Sequence, residues 1–391
     1  MMDYLDVRMP PPTRGCTTSA DSLRLPFTCA LADGRPLAAS LPERPSPSVR
    51  THKVEWSDVA AGIMLNNGVL REGSAAGGRA GLERALLLRS RGTWMPQASG
   101  LDILLLASCP RGSPATSSGD GETYERAPSP SWFPADAALP TMHWRCFRGR
   151  ERLGSSLWRK TGALLTVLHR TFPAKRLFLK IDSDTMLMPR ALLAFLRALH
   201  GSTPRGVPLY FGSNRISSKR RFCSGRACLL STPQWRALAG GNGSSSSESD
   251  GFCESREASY AQGGAYGFDR RALAALVGGE CLDKVASAVR RYDGATDRSF
   301  ELFEDEAVGL CMRLRNVRLV TCRCFYDWGP CDINNPAASC APDTNASKIC
   351  HLPLTVHKMR QLSWFDGWWK LLSAREPAAL AALAQWQAAQ G

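Results

Sequence analysis

Two carboxylates one residue apart, Asp182 and Asp184, close the run Arg176-Leu-Phe-Leu-Lys-Ile-Asp-Ser-Asp-Thr185. Asp-x-Asp brings hard oxygens together, the donor set that Mn²⁺ or Mg²⁺ shares with a substrate diphosphate. Asp and Ser are also ordinary turn formers, so the pair alone does not separate a metal clamp from a strand-to-helix turn. Three more carboxylates, Glu304, Asp305 and Glu306, stand together in Phe303-Glu-Asp-Glu-Ala-Val-Gly-Leu-Cys-Met312. In a helix's first turn they are favoured by the dipole, and one kept ionised there can serve as a general base. The glycines of Tyr260-Ala-Gln-Gly-Gly-Ala-Tyr-Gly-Phe268 allow backbone to approach a ligand closely, or simply to turn. His357 ends Pro353-Leu-Thr-Val-His357. The cluster Trp364-Phe-Asp-Gly-Trp-Trp369 is packing material, or an aromatic face for a carbohydrate.

The elements that must position these groups follow from periodicity. Leu177, Phe178, Leu179 and Ile181 read as a buried parallel strand that delivers Asp182 and Asp184 at its carboxyl end. Before it, Leu157, Leu164, Leu165 and Leu168 mark one face of a helix that Ser155 or Ser156 can cap, with Pro173 just beyond its end. After it, Pro189 opens a helix that gathers Leu192, Phe195, Leu196 and Leu199 and stops at Gly201. Helix, strand, acidic turn and helix argue for a parallel sheet. Leu101–Ala107 and Pro208–Gly212 read as further strands. Asp269 caps a helix closed by Gly278 and Gly279, and a short helix begins near Leu82. Residues 1–75 read as a flexible leader with a short element near Val54–Leu65, a main domain spans 80–372 with loop excursions at 110–139 and 239–255, and a helical tail covers 373–391.

Length and composition set the outer bounds. The chain has 391 residues, 44% hydrophobic and 21% charged, enough for a sizeable core and unlike a disordered chain. A net charge of +14 favours anionic partners such as nucleotides, but no compact Lys/Arg block with interleaved aromatics points to nucleic acid. Of 14 cysteines, Cys311, Cys322, Cys324, Cys331, Cys340 and Cys350 cluster near the carboxyl end. None of these is spaced Cys-x₂-Cys, which favours disulfides over zinc and hence an oxidising lumen; Cys223, Cys228 and Cys253 could staple the 239–255 excursion. The sequons at Asn242 and Asn345 agree with that compartment. The amino terminus carries no apolar run long enough for a signal peptide or anchor, so membrane association requires an anchor outside this sequence.

In order and spacing these pieces resemble the β-1,3-galactosyltransferase and Fringe-like superfamily, glycosyltransferase family 31. The matching segments are Arg91-Gly-Thr-Trp94, the helix near 157–170, Leu179-Lys-Ile-Asp-Ser-Asp184, Tyr260-Ala-Gln-Gly-Gly-Ala-Tyr266, Glu304-Asp305 with Val308-Gly309, and Thr355-Val-His357. The resemblance implies an α/β chain of GT-A fold, with a Rossmann-like, mostly parallel central sheet flanked by helices. It implies transfer of a hexose, galactose first, from a UDP-sugar to a glycan or glycoprotein hydroxyl with inversion, in the Golgi. On this resemblance Asp184 and His357 would ligate Mn²⁺ or Mg²⁺, and Asp182 would meet the ribose or a metal-bound water. Arg91, Lys180, Gly263 and Gly264 would line the donor site, and Asp305 would be the base. The chain departs from the family pattern in carrying Ser183 between the aspartates and Glu306 where an apolar residue is usual, which leaves Glu304, Asp305 and Glu306 all open as the base. A phosphatase using Asp-x-Asp would need Thr where Met186 stands. The other alternative is a catalytically inactive relative that binds glycans or acts as a chaperone.

Overall fold

The computed structural model describes residues 29–31, 53–66, 69–70, 78–109, 124–148, 157–203, 206–218, 223–224, 227–228, 257–279, 281–283, 303–317, 319–322, 324–326 and 353–390. In chain order the elements are β1 (Cys29–Leu31), β2 (Val59–Met64), α1 (Gly78–Gly92), β3 (Asp102–Ser108), β4 (Tyr124–Arg126), β5 (Thr141–Phe147), α2 (Leu157–Thr171) and β6 (Leu177–Asp182). There follow β7 (Met186–Leu187), α3 (Pro189–Ser202), β8 (Tyr210–Ser218), β9 (Cys223–Ser224), β10 (Ala227–Cys228), β11 (Glu257–Asp269) and α4 (Arg270–Val277). The last are α5 (Glu304–Leu314), β12 (Leu319–Cys322), β13 (Phe325–Tyr326), β14 (Thr355–Val356) and α6 (Leu362–Gln390).

Nine strands form one mixed sheet in the order β1-β12-β8-β11-β6-β2-β3-β5-β4. Its core, β6-β2-β3-β5, is parallel throughout, as is the β12–β8 pair; β11, β1 and β4 pair antiparallel. The apolar alternation of the core strands explains how both faces are covered. Val59, Ala61, Ile63, Leu177, Leu179 and Ile181 point to the side of α1, α3 and α6. Ala60, Leu104, Leu106 and Phe178 point to the side of α2, α4 and α5. The chain is therefore an α/β structure with a helical layer on each face and a parallel sheet core compatible with a Rossmann-like arrangement.

The chain lays β2, β3 and β5 outward in one direction and then returns to place β6 on the other side of β2. That reversal makes the carboxyl ends of β2 and β6 a topological switch point, the place where the crevice of an open α/β sheet takes its ligands. Met64 and Asp182, the last residues of the two strands, are directly opposite each other in the register.

Several expected elements stand as read. The α3 helix begins at Pro189 and buries Leu192, Phe195, Leu196 and Leu199. The Asp269 carboxylate accepts from Ala272 N at 2.8 Å and so caps α4. Glu304, Asp305 and Glu306 form the first turn of α5. Ser155 and Ser156 lie outside the described residues.

The limits of the folded region differ from those read in the sequence. Val59–Met64, taken as a short element in a leader, is fully buried at the centre of the sheet, and Cys29–Leu31 pairs with β12. An all-apolar strand with no polar alternation gives little periodicity to read. At the other end, α6 continues through residue 373 without a break, and buried Glu376 accepts from Ala191 N at 3.1 Å near the start of α3. The helix expected after 373 is thus present as the continuation of α6, and Glu376 within it meets the start of α3.

Two disulfides brace the sheet and the helical layer. Cys109–Cys146 joins the end of β3 to β5, and Cys281–Cys311 ties α5 to the turn after α4; Cys324 is disulfide-bonded as well. Of the clustered cysteines, Cys331, Cys340 and Cys350 lie outside the described residues, as do Cys253 and both sequons. Among the described residues no helix is long and apolar enough to cross a membrane.

Candidate metal centre

Asp182 is the last residue of β6, and Ser183 and Asp184 form the turn that follows it. Four ties hold that turn. Thr185 N donates to Asp182 O at 3.1 Å, Thr185 Oγ1 to Gly264 O at 2.9 Å, and Met359 N to Asp184 O at 2.9 Å. Ser183 Oγ donates to the buried carboxylate of Glu83 at 2.9 Å.

His357 reaches the turn from far along the chain. A small sheet of β13, β14 and β7 sets Val356 opposite Met186 and Thr355 opposite Leu187. The residue after β14 is thereby carried toward Asp184. Lys358 takes a left-handed φ of 62°, a conformation that costs a non-glycine residue, and the chain then bonds back through Met359. His357 Nε2 lies 3.0 Å from Asp184 Oδ1 and 3.3 Å from Asp182 Oδ2.

The donor atoms of Asp182, Asp184 and His357 all lie within 4.8 Å of one another. Two carboxylates and one imidazole, partly open to solvent, fit a divalent cation such as Mn²⁺ and leave coordination positions for a ligand. Burial opposes the charge on Asp182, but the Lys180 ammonium and His357 outweigh it and hold its carboxyl at about 2. Asp182 is therefore an anion throughout the neutral range. A second grouping, Cys109, Glu125 and Cys146, has comparable spacing, but its two sulfurs are joined to each other.

Beside this triad the β11 strand bulges away from β8 between Ala261 and Tyr266, and the paired glycines occupy the bulge. Gly263 O accepts from Lys180 Nζ at 2.5 Å, and Gly263 N donates to Asp305 Oδ2 at 3.0 Å. A Cβ at Gly263 would come within 3.1 Å of Glu304 Oε1 and 3.4 Å of Asp305 Oδ2, so the close approach depends on the missing side chain. Gly263 is thus packed against the carboxylates of α5.

The three α5 carboxylates have separate partners. Glu304 Oε1 accepts from Lys180 Nζ at 3.0 Å. Glu306 is almost wholly buried and reaches back to Phe303 N at 3.4 Å. Asp305 accepts from Gly263 N and from Glu306 N at 2.9 Å, and burial with Glu304 and Glu306 on either side pushes its pKa well above the ordinary carboxylate range.

Of the residues singled out in the sequence, Lys180, Asp182, Asp184, Gly263, Gly264, Asp305 and His357 gather in this one region. Arg91 does not join them. Its guanidinium bonds Pro134 O, pairs with Asp136 Oδ2 at 3.3 Å and lies over the Phe133 ring. It stands about 12 Å further along α1 than Glu83.

Glu83 and Lys160 had not been singled out. Glu83 ties the loop after β2 to the acidic turn, accepting from Asn66 N at 2.7 Å, from Asn66 Nδ2 and from Ser183 Oγ. Lys160 is buried and donates to Leu65 O at the end of β2. Each sits on a helical face whose neighbours at three and four residues are apolar, Leu86 and Leu87 for Glu83, Ala163 and Leu164 for Lys160. An ionisable residue inside an apolar stripe was the signal that could have found them.

No model of a known protein family matches this chain, and no curated protein does either.

Proposed function

We propose that the protein is a metal-dependent, inverting glycosyltransferase that moves a hexose, galactose first among candidates, from a UDP-sugar to a hydroxyl of a glycan or glycoprotein. The observation that carries this reading is the Asp182–Asp184–His357 triad at the switch crevice, with Asp305 held beside it on α5. The resemblance to the β-1,3-galactosyltransferase superfamily, carried by the same residues in the same order, supports it.

When bound, a divalent cation held by Asp182, Asp184 and His357 would neutralise charge gathering on a departing diphosphate. Asp305 takes the proton of the acceptor hydroxyl. The freed oxygen lone pair forms the new bond to the anomeric carbon while the bond from that carbon to the diphosphate oxygen breaks, and the configuration inverts. An elevated pKa makes the ionised Asp305 carboxylate a stronger base than an ordinary aspartate, which suits a sugar hydroxyl. Glu304 is engaged by Lys180 and Glu306 by its own helix end, which favours Asp305 for this role.

The test is a melting-temperature screen of the full chain with UDP-sugars and Mn²⁺, since a ligand that binds only the folded state raises the midpoint. We expect one UDP-sugar to raise it with Mn²⁺ and not with EDTA. Asp184→Asn should lose that response, whereas Asp305→Asn should keep it and lose turnover at least a hundredfold. A chain that answers to no UDP-sugar would sink the proposal. One that binds donor but shows undiminished turnover in Asp305→Asn would remove Asp305 as the base.

A further inference from the structure

Most buried or half-buried charges away from the crevice have local partners with evident structural roles. Asp102 meets His143 and Lys175 at the opposite end of β3, and Glu376 closes the start of α3. Lys180 differs because its partners lie on three separate elements. It is wholly buried, one strand period before Asp182 on the same face of β6.

A lysine ammonium has three N–H donors. Lys180 directs one to Asp182 Oδ1 at 2.6 Å, one to Gly263 O at 2.5 Å and one to Glu304 Oε1 at 3.0 Å. The Tyr266 ring lies 5.3 Å from the nitrogen. No donor is left for a phosphate oxygen, so the residue cannot line the donor site by direct contact. The oxygens of Asp182 are meanwhile divided, with Oδ1 held by the ammonium and Oδ2 turned to His357.

We propose that Lys180 is an internal counter-ion shared between Asp182 and Glu304, a positioning residue that limits Asp182 to one oxygen on the metal side and sets how tightly the centre takes its cation. This inference rests on the metal-centre reading above. Its consequence runs against the usual effect of damaging a site. Without the ammonium, Asp182 gains a free oxygen and loses a competing positive charge, so the cation is held more tightly while Glu304 and its neighbour Asp305 lose their anchor to β6. Glu304, though not a ligand, governs metal affinity in the opposite sense, because without its charge the ammonium belongs to Asp182 alone.

The experiment is a calorimetric titration of the full-length chain with Mn²⁺, in wild type, Lys180→Met, Glu304→Gln and the double variant, with kcat and donor KM measured in parallel. We expect Lys180→Met to bind Mn²⁺ about tenfold more tightly and to lose kcat far more than it changes KM. Glu304→Gln should bind Mn²⁺ several-fold more weakly, and that effect should vanish in the Lys180→Met background. A folded Lys180→Met with unchanged or weaker Mn²⁺ affinity overturns the inference, as does a Glu304→Gln effect that is equal in both backgrounds. Should Lys180→Met fail to fold, Glu304→Gln decides: weaker Mn²⁺ binding supports the shared counter-ion and unchanged binding overturns it. A wild-type chain that takes up no Mn²⁺ at all removes the metal-centre reading, and this inference with it.

Discussion

Asp305 sits between Glu304 and Glu306 in the first turn of α5, where burial and two like charges make its ionised form costly. The same placement that would make it a good base makes it a burden on the fold. A carboxyl that binds its proton more tightly when folded loses stability as pH rises from about 4 through its elevated native pKa. Asp305→Asn removes that loss. Measured against wild type, its melting temperature should therefore be more favourable at pH 8 than at pH 5; an equal difference at both pH values would contradict the burial of this charge. Asp182 behaves in the opposite way. Its pKa of about 2 lies below that of an unfolded aspartate, so its stabilising contribution is complete above about pH 4 and fades as pH falls through 2.

Among the elements, β6 and β11 show how strand packing sets the crevice, and β2 shows how little room there is behind it. A Cβ added to Gly62 on β2 would lie 2.5 Å from Leu168 Cδ1 and 3.0 Å from Leu164 on α2. Gly62→Ala should destabilise the protein by about 1–3 kcal/mol through overpacking. Adding Leu168→Ala should make the combined loss smaller than the sum of the single losses, as denaturant midpoints would reveal. The elements near the acidic turn were legible because they obey simple rules: an apolar run ending in carboxylates, Pro189 at a helix start, Asp269 as a cap. Other features were not. The partnership of Ser183 with Glu83 and the division of Lys180 among three acceptors depend on contacts between residues distant in sequence, which periodicity does not encode. Arg91 shows the converse, since its motif was readable but its charge is met by Asp136 rather than by the acidic turn.

At the scale of the whole molecule, α5, the helix that carries Asp305, is held to the rest of the chain by Cys281–Cys311, which encloses a 30-residue separation. A crosslink of that span contributes on the order of 3–4 kcal/mol by restricting the unfolded chain. Cys281→Ala with Cys311→Ala should lower the melting temperature by roughly 4–6 °C in a chain of this size, and no change would mean that α5 is anchored by packing alone. The sheet that carries Asp182 and Asp184 is built from strands up to residue 322, whereas the third member of the triad is His357, delivered by β14 onto β7. During synthesis, the two aspartates thus emerge from the ribosome well before the imidazole that completes their set. A nascent chain can pair its central strands while the triad is still open, and it can close the triad only after residue 357 has emerged. Cation capture would then mark a late event in the life of each molecule, separating finished chains from those that stop short.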